Sequence, residues 1–378
     1  MSEYQYYEFQ AVDRPLSQAE QKALRALSSR ARITATSFTN HYEWGDLKGD
    51  PKKLVERYFD LHLYFANWAA RRLMIRLPKR LVDMSRLESV LCDVDWVSVS
   101  EKGDNLFVDI FGEGVEPYTD EWDDGTGWLA ALSPLRADVL SGDYRLFYLA
   151  WLAAVGYGGI DAAAVEPLPG IGPLTGALEA FAEFFALDAD LVAAAAERTG
   201  GAGTAGLLPR DDLRSALAAV PDREKVDLLL RLVEGDPHVA AELKGRMRMS
   251  VLQPPADLRT AGDLRARAAV IREKRERVRA EKLEAERRRK EKEVEKARRA
   301  RLEAVKRRGL AVWDRIEAEI ERRNASGYET ATGLLVDLEV IATEQGTDAD
   351  FARRLESIRE RHARKSKFIE RLKGLVRR

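Results

Sequence analysis

The feature that most constrains this chain is a run of dense charge over residues 263–323, with no proline and one glycine, Gly309. Ala, Arg, Lys, Glu and Leu dominate it, the residue types that lose least rotamer freedom in a helix. Acids stand four residues before bases at Glu273 and Arg277, Glu284 and Arg288, Glu286 and Lys290, and Glu295 and Arg299. That is the favourable order, and each pair adds ~0.3 kcal/mol. The run therefore predicts one long helix, which would reach roughly 90 Å at 1.5 Å per residue.

A seam of Leu264, Ile271, Val278 and Ala285 recurs every seven residues. The companion row fails, because Arg267, Ala268, Lys274, Arg275, Glu281 and Lys282 occupy its positions, and a coiled coil needs both rows over several heptads. The start has weak coiled-coil potential, and the middle reads as a solvated charged helix. Apolar spacing returns at Leu302, Val305, Val312, Ile316 and Ile320, so the far end is expected to pack.

Charge divides the chain. Residues 259–308 hold 21 Lys/Arg against 10 Asp/Glu, and residues 353–378 hold 11 against 3. The formal net charge is nevertheless only −1, because residues 1–258 are acidic. Such separation points to a polyanion as partner, or to the acidic body itself.

Patterning predicts an α+β N-terminal domain with a small mixed or antiparallel sheet (residues 1–128) and a helical domain (129–250). A linker (251–258), a long basic helix (259–324) and a basic helical hairpin (325–378) follow. Strands are expected at 4–12, 32–39 and 71–78, with a hairpin at 93–100 and 105–111. Ser17 and Glu20 form a capping box. Asp50 and Pro51 open a helix carrying Leu54, Val55, Tyr58, Phe59, Leu61, His62 and Phe65. Residues 211–247 read as three short helices, with starts at Asp211, Asp222 and Asp236. Ser326 and Gly327 are expected to break the pattern before the hairpin, which turns at Gly346.

No sequence motif assigns chemistry. Gly201, Gly203 and Gly206 fit GxGxxG, but they follow an alanine-rich helix where a dinucleotide site needs a strand. Residues 120–125 imitate a calcium loop, with Trp122 at a ligand position and Ala131 where the closing acid belongs. His41, His62, His238 and His362 lie in separate segments without metal-ligand spacing. His62 reads as a core histidine. His41 with Tyr42, Glu43 and Trp44, in what reads as a surface loop, is the best small-site candidate. No catalytic residue, cofactor or metal ligand is assigned, and an enzyme is not the expected reading. The lone Cys92 suits a reducing compartment, and no apolar run is long enough to span a membrane. The expected location is the cytoplasm, with no membrane partner.

Two resemblances bear on the chain. Residues 330–372, around Arg359-Glu360-Arg361-His362-Ala363-Arg364-Lys365, resemble the C-terminal helical hairpin of bacterial SWIM-type zinc-finger proteins. One cysteine cannot supply the ligands of the finger itself, so the resemblance implies a shared packing module. Residues 3–200, through EYQYYEFQAVDRPL, ITATSFTNHYEWGDLKGDP and PLPGIGPLTGALEAFAEFFALDADL, are similar to a widespread bacterial family of uncharacterised proteins. That similarity implies a fold and no activity.

The leading expectation is a non-enzymatic adaptor or scaffold that binds a protein partner or a second copy of itself. Leu302, Val305, Trp313, Ile316, Leu335, Leu338, Phe351, Leu355 and Ile358 would pack its C-terminal end. The alternative is non-specific binding of a DNA or RNA backbone. Arg287, Arg288, Arg289, Lys290, Lys292, Arg298, Arg299, Arg301, Lys306, Arg307 and Arg308 would make the phosphate contacts, joined by Arg361, Arg364, Lys365 and Lys367 from the tail. No aromatic lies between Asp263 and Ala311, so base stacking by the arm is not available.

Overall fold

The computed structural model describes residues 3–115, 123–198, 210–251 and 257–373. The chain forms two compact units, Met1–Arg275 and Glu276–Arg378.

The first unit opens with β1 (Gln5–Gln10) and α1 (Gln18–Leu27), whose capping box is formed in both directions between Ser17 and Glu20. Next come β2 (Arg32–Ile33), β3 (Ser37–Tyr42) and α2 (Pro51–Arg57), the last capped by the Asp50 carboxylate. Residues 32–39, expected as one strand, thus supply β2 and the start of β3. The helix expected to run through Phe65 ends at Arg57, and β4 (Leu61–Ala66) takes its place. Apolar residues at 54, 55, 58, 59, 61, 62 and 65 suit a helix face. From Leu61 onward, however, both faces of the segment are buried, and such a strand carries no alternation to betray it.

β5 (Ala70–Pro78), α3 (Met84–Val90), β6 (Val97–Lys102) and β7 (Asn105–Gly112) complete an antiparallel sheet ordered β2-β3-β1-β4-β5-β7-β6. Leu61, Leu63, Leu73, Ile75, Leu106 and Val108 point to one face and share a core with helices. Those helices are α4 (Trp128–Leu132), α5 (Pro134–Leu140), α6 (Arg145–Gly156), α7 (Gly176–Phe184) and α8 (Ala189–Ala196). Sheet and helices, separable in sequence at residue 128, are one packed body here. Helix α6 is buried on every side from Arg145 to Val155. Phe9, Phe38, Met74 and Phe107 take the opposite face of the sheet, under Leu24 of α1 and Leu54 and Val55 of α2.

His62 sits on that second face, in β4 rather than on a helix, fully buried and stacked on Phe9 with ring centroids 4.0 Å apart. Its Nδ1 lies 3.0 Å from the Glu8 carbonyl oxygen, and burial pushes its pKa down to about 3. It is a neutral core histidine, as its aromatic surroundings in the sequence suggest.

Three further helices, α9 (Arg210–Ala219), α10 (Asp222–Val233) and α11 (Val239–Val251), follow the expected starts. The GxGxxG segment, the Pro254-Pro255 boundary and residues 116–122 of the acidic loop lie outside the described residues.

The first turns of α12 (Ala261–Arg308) belong to this unit. Ala261, Leu264 and Ala268 are buried in the main core, with Ile271 packed beside them. The first two seam residues therefore face the body, while Val278 is exposed. Arginines secure this foot. Arg259 donates from its Nη2 to buried Glu166 at 2.9 Å and from its Nη1 to the Ala194 carbonyl at 2.7 Å, and the Tyr148 hydroxyl donates to the same carboxylate at 2.6 Å. Arg265 donates to the carbonyls of Val155 and Ile160, and Arg267 pairs with Glu197. Arg272 and Arg275 both reach buried Asp190 at 3.0 Å. The acidic body does capture basic residues of the charged run, but those at its beginning.

In the second unit, residues 276–301 of α12 are exposed throughout. Leu302 and Val305 then enter a second core with α13 (Ala311–Glu321), α14 (Ala325–Gln345), α15 (Asp348–Arg361) and α16 (Ser366–Leu372). Three of these boundaries differ from expectation. The long helix ends at Arg308, because Gly309 adopts φ +53°, a left-handed conformation that stops a helix and that glycine takes without penalty. The next break falls at Arg322–Asn324, so Ser326 and Gly327 form the first turn of α14, capped by the Asn324 side chain on the Gly327 N–H at 2.7 Å. The tail holds a third helix, α16, beyond the hairpin that turns at Gly346. Every residue expected to pack this end is buried in the second core or packed against it.

Candidate interaction site

On the exposed part of α12 the basic side chains sit beside acids. Arg288 pairs with Glu284 at 2.5 Å, Lys290 with Glu286 at 2.8 Å and Arg299 with Glu295 at 3.0 Å. Arg287 with Glu291 and Arg289 with Glu293 add pairs in the opposite order, each at 3.1 Å. Arg287, Arg288, Arg289 and Lys290 are consecutive, so a rotation of about 100° per residue spreads them around the whole circumference. They do not form a stripe that could follow one phosphate backbone. Lys292, Arg298, Arg307 and Arg308 are exposed and have no ion pair among the described residues.

Four of the remaining basic candidates bind within the helical module. Arg301 reaches Asp337 at 2.6 Å, and Lys306 reaches Glu344 at 2.8 Å, tying α12 to α14. Arg361 meets Glu317 at 2.8 Å and Lys365 meets Glu321 at 2.6 Å. Between them buried His362 places Nε2 2.5 Å from Glu317 Oε2, with its ring edge-on to Phe368. The Arg-His-Ala-Arg-Lys segment thus fastens the end of α15 onto α13. Arg364 and Lys367 are exposed and unpaired among the described residues.

The same module carries a groove of about 310 Å³ where α12 and α13 meet the far end of α14 and the start of α15. Leu310 stands at its edge, 69% exposed, because the turn after Gly309 lifts it out of the core. Trp313 forms a wall, 6.0 Å from the Phe351 ring, with the Arg354 guanidinium over its face at 5.5 Å. Leu338 and Ile341 of α14 line the opposite side. The groove mixes polar and apolar side chains, and a half-buried tryptophan beside an arginine and an exposed leucine is the pairing that protein-binding hot spots favour. Trp313, Leu338 and Phe351 read in the sequence as core formers; the Gly309 turn leaves Leu310 accessible beside them.

The loop around His41 does not build a reactive centre. His41 belongs to β3 and stacks on Tyr4 at 6.1 Å, while Trp44 is 81% exposed. Asp46 accepts from the Tyr7 hydroxyl at 2.5 Å, Tyr64 donates to Gln5 Oε1 at 2.9 Å, and Gln5 donates to the Gly45 carbonyl. Burial pushes the Tyr64 phenol up to about 12, so this chain of hydroxyls holds its protons and anchors the loop. Asp123, from the acidic loop, accepts from the Gly125 N–H and the Trp128 indole, both at 2.8 Å. No group of acidic, histidine or cysteine side chains among the described residues could hold a metal ion, and no helix among them is long and apolar enough to cross a membrane.

Comparison with known proteins finds no match to the chain among family models, curated proteins or solved structures.

Proposed function

We propose that the protein is a non-enzymatic adaptor or scaffold whose C-terminal helical module, carried on a charged helix, binds a protein partner or a second copy of the chain. The groove beside Leu310 and Trp313 carries this reading. Leu310 is exposed there, and Trp313 and Leu338 are only partly buried, on a module that already has its own core. A further apolar surface on α10 supports it, since Val226, Leu229, Leu230, Leu232 and Val233 are all exposed, and contiguous exposed apolar residues mark interaction surfaces. The tail segment resembling SWIM-type proteins fits the same reading as a packing module, with Arg361, His362 and Lys365 serving the junction of α13 and α15.

The alternative, contact with a nucleic-acid backbone, rests on Lys292, Arg298, Arg307, Arg308, Arg364 and Lys367. Glutamates beside the other arm bases would repel phosphate. Fluorescence anisotropy of the full chain with a labelled duplex and a labelled single strand, between about 50 and 200 mM salt, tests it. An adaptor gives weak binding that falls by no more than about threefold, the slope of a single phosphate contact. A loss of about 10³-fold or more would establish several simultaneous contacts and favour the nucleic-acid reading.

A further inference from the structure

We propose that a cleft on the first unit, where the ends of α6 and α7 meet the β6–β7 edge of the sheet, binds a small aliphatic ammonium compound. The cleft encloses about 300 Å³, the lower end of the range for small-molecule sites. Four separate stretches of chain form it: the connection from α3 to β6, the end of β7, the end of α6, and the residue after α7.

Its walls are aromatic and its rim is acidic. The Trp96 indole is fixed by donating to the Ala150 carbonyl at 3.1 Å and by meeting the Phe185 ring edge-on at 5.2 Å. Tyr157, just past the end of α6, stands at the mouth and is 70% exposed. At Gly112 a Cβ would come within 2.8 Å of Val115 and 3.5 Å of the Phe185 ring, so the backbone closes the floor where no side chain fits.

Asp93, Asp95 and Glu113 line the same cleft and are exposed. None has a Lys, Arg or His nitrogen within 4.0 Å among the described residues. Arg72, whose guanidinium lies 5.5 Å from the Phe111 ring, is held by Asp109 through two hydrogen bonds. The cleft therefore carries uncompensated negative charge.

A metal ion does not suit the site, because these carboxylates do not group as metal ligands do. An ammonium on an aliphatic body does. Its charge is attracted by the aromatic faces and the carboxylates, and its methylenes cover the indole and phenyl surfaces. This assignment is independent of the C-terminal groove.

Isothermal titration calorimetry of the full chain with 1,4-diaminobutane and with tetramethylammonium, at constant ionic strength, tests it. The expected result is saturable binding of one ligand per chain. It should weaken at least about tenfold in Asp95→Asn/Glu113→Gln and again in Tyr157→Ala, changes at exposed positions that leave the fold intact by circular dichroism. No saturable binding, or equal binding in all variants, would overturn the assignment. So would competition by magnesium chloride as effective as by the amine, or a lysine-bearing peptide that binds more tightly than the free amine.

Discussion

Replacing Arg259 with methionine is expected to destabilise the first unit by roughly 3–5 kcal/mol, the cost of breaking a buried ion pair from one side. Glu166 is fully buried, and Arg259 engages it through its backbone N–H, Nε and Nη2, while the guanidinium also serves the carbonyls of Ala194 and Ala195. Removal of the arginine leaves a carboxylate in the core with the Tyr148 hydroxyl and one backbone N–H as its donors. It also frees the segment that leads into the foot of α12. Urea denaturation followed by circular dichroism measures the loss. Arg259→Met/Glu166→Leu/Tyr148→Phe, which removes the charges and the hydroxyl together, should recover most of it. A loss below about 1 kcal/mol for the single variant would place the pair with solvated surface bridges.

His62 gives the second large effect, and its sign follows from linkage. The folded protein holds the imidazole at a pKa of about 3, against about 6.5 in an unfolded chain. Between those values the unfolded state binds the extra proton, so stability rises with pH across that window. The contribution is complete above about pH 6.5 and is lost progressively as the pH falls toward 3. At about 1.4 kcal/mol per pKa unit, the full swing is on the order of 5 kcal/mol. Carboxylates titrate in the same range, so the informative quantity is the difference between wild type and His62→Leu. The variant should be less sensitive to acid by this amount, whatever its stability at neutral pH. Parallel curves for the two proteins from pH 7 to 4 would show that the ring protonates inside the fold.

The two effects differ in how far the sequence discloses them. His62 lies among Tyr58, Phe59 and Phe65, and that neighbourhood alone marks it as buried, although the segment was legible as a helix rather than as β4. Glu166 and Arg259 are separated by 93 residues, and nothing local in either segment marks the other. The same distinction holds across the chain. Ser17 with Glu20, Asp50 with Pro51, and Gly346 announce helix ends because capping is local chemistry. The apolar spacing at Leu302, Val305, Val312, Ile316 and Ile320 announces the second core because it repeats along the helix. The Gly309 stop is not legible, since one glycine within a long helical pattern can be accommodated at about 1 kcal/mol; here it adopts a positive φ and exposes Leu310. The acidic-aromatic cleft draws on residues from Asp93 to Phe185 in four stretches, and only the packing of helices against the sheet brings them together. The basic residues of the arm are visible at once, but i,i+4 pairs engage Arg287, Arg288, Arg289, Lys290 and Arg299 with acids and weaken the polyanion reading that their number invites.

The most direct test of the adaptor function is quantitative capture by the full-length wild-type chain and by Leu310→Asp, with and without nuclease. Leu310 is exposed, so the change adds a charge at the groove without opening the core. Binding through the groove predicts that a protein, or a second copy of the chain, is retained stoichiometrically by the wild type. Retention should resist nuclease and fall at least about tenfold in the variant, the scale of one anchor residue at a hot spot. Equal retention by both chains, or retention abolished by nuclease, would contradict it.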